Sequence, residues 1–121
     1  MAVISPYNQY EVTKVLTSSP LEQVILLYKK SINLLEGALE NLDEDELLFS
    51  ENIGKACRII EYLLSVLNLE GGGVIAENLA KLYQYSILTL TTSNINRDRD
   101  GIEEVKGILT GLLEGWEGIR K

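Results

Sequence analysis

The sequence predicts an all-α fold: an antiparallel up-down-up-down four-helix bundle preceded by an N-terminal arm or short helix. Three observations carry that prediction. Both prolines lie within the first twenty residues, so no proline interrupts a helix after Pro20. Apolar residues then recur at threes and fours through four stretches of about twenty residues each. Short links of acidic, glycine or polar residues separate those stretches. A chain of 121 residues with 45% apolar content builds one core and not two, so an arm over 1–18 and a single helical domain over 19–121 is the expected division.

The first helix is announced by Ser19, Pro20, Leu21 and Glu22, where Ser can cap, Pro suits the first helical position and Glu can reach back to the cap. Leu21, Val24, Tyr28, Ile32, Leu35, Leu39 and Leu42 follow as one apolar stripe, and the acidic run from Asp43 to Glu46 reads as a solvated turn. Phe49, Ile53, Ala56, Ile60, Leu63 and Leu67 alternate by four and three, the spacing of a helix packed along a bundle seam, and carry the second helix to about Asn68. Gly71, Gly72 and Gly73 break the chain and can supply the positive φ that a tight reversal needs. The third helix is expected from about Val74 to Ser93, with Ile75, Leu79, Leu82, Ser86 and Leu90 inward and Tyr83 and Ile87 displaced to a flank. The polar stretch Asn94 to Asp98 ends it. Asp100 followed by Glu103 reads as the cap of the last helix, whose seam is Ile102, Val105, Leu109, Leu112, Trp116 and Ile119.

Composition removes several classes of function. With no histidine, neither a di-iron carboxylate site nor a zinc site can be assembled in such a bundle, and no cofactor is expected. Cys57 follows Ala56 on what reads as the core face, where a thiol is packing and not a nucleophile. The acidic pairs Asp43–Glu44 and Glu103–Glu104 sit at a turn and a helix start, where charge complements the helix dipole and solvates the surface. The glycine run lacks the Lys-Ser/Thr of a phosphate loop. A net charge of −7 argues against nucleic acid as a partner. The apolar runs are too short for membrane insertion, and the N-terminus shows no signal core, so a cytoplasmic protein is expected.

What remains is recognition of another protein through helical surfaces. Ile59, Tyr62 and Val66 form a row beside the seam of the second helix, and Tyr83 and Ile87 add apolar surface on the third. In the last helix Gly107, Gly111 and Gly115 are spaced by four beside Ile108, a strip along which another helix can approach closely. Tyr7 and Tyr10 lie in the arm, where they can anchor it or form a lid over an apolar groove. Each of these residues also fits a widened core. The residues themselves leave two readings open: a groove for a client segment, or a self-associating or regulatory adaptor bundle that sequesters another protein.

Tyr10, Thr17, Ser19, Pro20, Leu27, Tyr28, Lys55 and Ala56, followed by a block from Leu67 to Tyr85 and by Trp116 and Ile119, stand in an order that resembles the FliS family of flagellar secretion chaperones. Leu67, Asn68, Glu70, Gly72, Gly73, Ile75, Ala76, Asn78, Leu79, Leu82, Tyr83 and Tyr85 stand at the spacing of its central Leu-Asp-x-Glu-x-Gly-Gly-Glu-Ile-Ala-x-Asn-Leu-x-x-Leu-Tyr-x-Tyr segment. Trp116 and Ile119 repeat its C-terminal Trp-x-x-Ile. Asn68, Val74 and Lys29 depart from its pattern, which bears on turn geometry and docking charge. The resemblance covers the chain from about Tyr7 to Ile119. It implies a helical bundle that binds the disordered C-terminal segment of flagellin, prevents premature polymerisation and assists delivery to the flagellar type III export apparatus. The cytoplasmic domain of the export gate is then a candidate further partner.

Overall fold

The computed structural model describes residues 15, 16 and 20–120. Tyr7, Tyr10 and Ser19 lie outside them. Four helices follow in order: α1 (Leu21–Asn41), α2 (Glu46–Ser65), α3 (Gly73–Asn96) and α4 (Arg99–Ile119). Each packs against its neighbours in sequence, and α4 closes the square against α1. The ion pairs between α1 and α4 fix their direction: Lys29 meets Glu117 at 3.4 Å, Glu36 meets Lys106 at 3.5 Å and Glu22 meets Arg120 at 3.2 Å. Partner numbers fall on α4 as they rise on α1, so the two run antiparallel. These pairs are exposed or half-exposed and each contributes at most about 1 kcal/mol, so they set register more than stability.

The helix ends differ from the sequence reading, and local hydrogen bonds explain why. Pro20 precedes the first turn of α1 as its cap residue and does not occupy the first helical position; its carbonyl accepts from Val24 N at 3.1 Å. The acidic run is more than a solvated turn, because the Asp45 carboxylate accepts from Leu48 N at 3.0 Å and starts α2 at Glu46, ahead of Phe49. At its other end α2 stops at Ser65, short of Asn68: Val66 N and Leu67 N still donate to Tyr62 O and Leu64 O, and beyond them the backbone pairs with another segment. Leu67 forms an isolated antiparallel bridge with Leu16, and Asn68 N donates to Val15 O at 2.7 Å.

Gly73 takes the positive φ, 65°, that the glycine run promised. Gly72 is required for a different reason. A Cβ there would stand 2.5 Å from the Asn68 carbonyl oxygen, 2.6 Å from Ala76 Cβ and 3.1 Å from Val15 Cα. Beyond Ser93, α3 continues to Asn96 and ends on Arg97, whose left-handed φ of 52° turns the chain at once into α4. Asp98, and not Asp100, caps α4, accepting from Asp100 N at 3.0 Å.

The seams of α2 and α4 are buried as their spacing predicts: Phe49, Ile53, Ala56, Ile60, Leu63 and Leu67 on one side, and Ile102, Val105, Leu109, Leu112, Trp116 and Ile119 on the other. On α1 the core face is rotated. Ile25, Ser31 and Ala38 join Val24, Tyr28, Leu35 and Leu42 inside, while Leu21, Ile32 and Leu39 are half-buried. Val15 and Leu16, from the stretch expected as an arm, belong to the same core cluster.

Candidate client-binding surface

The structure places the sequence-selected residues in three different settings. Tyr83 is a correction: it is 1% exposed and points into the bundle, not onto a flank. Its hydroxyl hydrogen-bonds the hydroxyl of Tyr28 across the bundle at 2.5 Å, and both groups are fully enclosed. Burial pushes the Tyr28 phenol up to about 12, with the bond to Tyr83 pulling slightly the other way. Burial likewise holds the Tyr83 phenol well above its ordinary value, and the proximity of Tyr28 adds to the rise. The Trp116 indole packs edge-on to Tyr28 with ring centres 6.2 Å apart. Its N–H lies near enough to favour charge on the Tyr28 oxygen but falls outside hydrogen-bond geometry. Ser86 Oγ is buried in the same interior and, among the described residues, has no partner. This set is a polar layer within the core and offers no surface to a client.

Val66 is a second correction, buried at the α2 terminus, and Gly115 a third, since it lies inside among the α4 seam residues. Leu82 is half-buried and not inward. Cys57 is half-buried where a fully buried thiol was expected. Burial raises its pKa, Glu61 raises it further, and a hydrogen bond with Thr91 together with Arg58 offsets part of the rise. A thiol shifted in this direction is a poorer nucleophile at neutral pH.

The remaining candidates are accessible. Ile59, Ile87 and Ile108 are half-buried against the core, and Tyr62 is 39% exposed. Among the described residues, nothing lies within 4 Å of where a Cβ on Gly107 or Gly111 would stand, so that part of the strip borders open space. The sequence reading missed Leu26, Leu88 and Ile95, which are 65%, 67% and 77% exposed. They sit off every seam, and the available signal was their departure from the three-four spacing. Leu26 lines a shallow groove with Lys29, Lys30, Asn33, Leu34 and Asn52. Large exposed aliphatic side chains on a helical bundle suit apolar contact with another helix. Among the described residues, no helix is long and apolar enough to cross a membrane, and no group of three or more His, Cys, Asp or Glu side chains could hold a metal ion.

Comparison with known proteins gives one consistent result. A family model described as flagellar protein FliS matches residues 3–121. The flagellar secretion chaperone FliS of Salmonella typhimurium is 34% identical over 119 residues, which cover 96% of this chain and 88% of that protein. The flagellar secretion chaperone FliSB of Pseudomonas aeruginosa is 33% identical over 98% of this chain and 96% of its own length. The Bacillus subtilis flagellar secretion chaperone FliS is 32% identical over 97% and 87% respectively.

Proposed function

Since the chain belongs to the FliS family of flagellar secretion chaperones, which are not enzymes, we propose that it binds the disordered C-terminal segment of flagellin in the cytoplasm. There it covers that segment until export. Premature polymerisation is thereby prevented, and the complex is delivered to the flagellar type III export apparatus, with the cytoplasmic domain of the export gate as the receiving partner.

The observation that supports this reading is the apolar surface left over after the core is complete: Ile59 and Tyr62 on α2, Ile87 and Leu88 on α3, and Ile108 beside the open glycines of α4. These positions spread over three helices and form no single pocket. A segment that folds on binding loses conformational entropy, so its affinity has to come from several separated apolar contacts. Tyr7 and Tyr10, which lie outside the described residues, are proposed as further client contacts. Tyr83 and Val66 act only indirectly, by holding α3 and the end of α2 in place.

Binding of flagellin to the full chain, measured by calorimetry with intact flagellin and with flagellin lacking its C-terminal segment, tests the proposal. A complex is expected with the intact client only, and Tyr62→Ala combined with Ile59→Ala should weaken it more than it lowers the unfolding midpoint. Equal binding of the truncated client would overturn the reading.

A further inference from the structure

The face shared by α1 and α2 carries three exposed cations of this acidic protein. Lys29, Arg97, Lys106 and Arg120 are engaged in ion pairs with glutamates. Lys30, Lys55 and Arg58 are exposed and, among the described residues, take part in no ion pair. Backbone geometry brings them together. Asn52 lies over Gly37 of α1, so close that a Cβ on Gly37 would stand 2.8 Å from Asn52 Nδ2, which fixes the side of α2 that faces α1. Lys55, Ile59 and Tyr62 follow Asn52 by three, seven and ten residues and so share that side. From α1, Lys30 lines a groove with Leu26, Leu34 and Asn52. Leu34 and Ile59 are half-buried against the core, while Leu26 is largely exposed.

The result is an apolar floor with cations along both edges. Glu51 and Glu61 are the acids nearest in sequence on the exposed side of α2, four residues before Lys55 and three after Arg58. On a chain of net charge −7 an acidic partner is repelled by the molecule as a whole and can be held only where cations are concentrated.

We infer that the α1–α2 face is a docking site for an amphipathic helix whose apolar stripe is flanked by carboxylates. The stripe lies on Leu26, Leu34 and Ile59, and the carboxylates meet Lys30 and Lys55 on the two edges, with Arg58 beside them. A helix flanked by lysines meets repulsion at this face. The site overlaps the client surface at Ile59 and Tyr62 and in that respect rests on the proposed function, to which it adds the charge required of the docked segment.

Fluorescence anisotropy of the full chain with two labelled helical peptides tests it, the two sharing one leucine stripe and flanked either by glutamates or by lysines. The glutamate peptide is expected to bind at least about tenfold tighter at low salt and to lose that margin at high salt. Lys30→Glu with Lys55→Glu should reverse the preference, and Lys81→Glu with Arg99→Glu, an equal change of charge elsewhere, should leave it in place. Equal affinity for the two peptides overturns the inference. So does an equal effect of the control pair, or a salt-sensitive dimer of the chain alone, which would give the face to a second copy. Failure here leaves tail-dependent flagellin binding standing, and failure of tail dependence leaves the peptide preference standing.

Discussion

The hydroxyls of Tyr28 on α1 and Tyr83 on α3 meet at 2.5 Å across the diagonal of the bundle, enclosed on all sides. Neither hydroxyl has water to fall back on, so each depends on the other for its hydrogen bond. Tyr28→Phe or Tyr83→Phe alone should therefore destabilise the fold by about 1–3 kcal/mol, because the surviving hydroxyl is left buried and unpaired. The double phenylalanine variant should recover most of that loss, since both polar groups are gone and the ring volumes are nearly kept. Urea unfolding of the four proteins gives the coupling energy directly, and additive losses would show that the pair is not a unit.

The same pair sets an alkaline limit. Both phenols ionise later in the folded than in the unfolded protein, Tyr28 at about 12 against an ordinary 10. Between those values the unfolded chain releases protons that the folded chain keeps. Stability is then whole below pH 10 and falls as pH rises through the folded value, by up to ~1.4 kcal/mol per pH unit for each tyrosine. Unfolding free energies measured from pH 9 to 11.5 should decline steeply in the native protein and more gently in the double phenylalanine variant.

Legibility of the fold from sequence followed how sharply each helix separates its faces. The seams of α2 and α4 were readable residue by residue because their apolar positions keep an unbroken three-four spacing. On α3 the pattern fails, since Val74, Leu88 and Ile95 put apolar side chains on the solvent side. Nothing in the spacing then marks Tyr83 as inward, and its partner on a diagonal helix lies 55 residues away in sequence. Helix starts were displaced for a simpler reason: Asp45 and Asp98 stand close to other acids, and only hydrogen bonds distinguish a capping carboxylate from its neighbours. Of the proposed binding surface, the flanking row at Ile59 and Tyr62 follows from spacing alone, whereas the cations beside it come from two helices and meet only when α1 and α2 are packed.

Away from the positive-φ Gly73, crowded and open glycines should be told apart by alanine substitution. Gly107→Ala and Gly111→Ala add a methyl group into open space and should stabilise α4 by up to about 1 kcal/mol each. Gly72→Ala should destabilise, because its methyl would press on Ala76 Cβ, the Asn68 carbonyl oxygen and the backbone of Val15. Gly101→Ala should do the same against Ser93. Thermal unfolding of the four variants tests the division, and a stabilising Gly72→Ala would mean that Val15 is not held where the structure puts it.

Arg97 offers a contest between backbone and side chain. Its left-handed conformation costs about 1–2 kcal/mol that glycine would not incur. Against that, its guanidinium donates to the Leu42 carbonyl oxygen, lies 5.1 Å over the Phe49 ring and pairs loosely with Glu46 at 3.9 Å. A charged hydrogen bond contributes about 1.5–3 kcal/mol and a cation over an aromatic face about 0.5–1. Arg97→Gly should therefore lower stability by about 1 kcal/mol despite the relaxed backbone. A gain in the denaturant midpoint would reverse that ranking.

Arg97 also joins two turns that are far apart in sequence, the one between α1 and α2 and the one between α3 and α4. Every chain reversal at that end of the molecule is thus gathered under one side chain. At the opposite end the connection is a run of glycines beside Val15 and Leu16, with the Glu22–Arg120 and Lys29–Glu117 pairs between the outer helices. The bundle consequently has a mechanical polarity, pinned by one cationic side chain at one end and joined through glycine-rich backbone, held among the described residues by Val15 and Leu16, at the other. Backbone amides along α3 should exchange with deuterium more slowly toward Asn96 than toward Gly73, and a load applied to the molecule would peel it from the glycine end first.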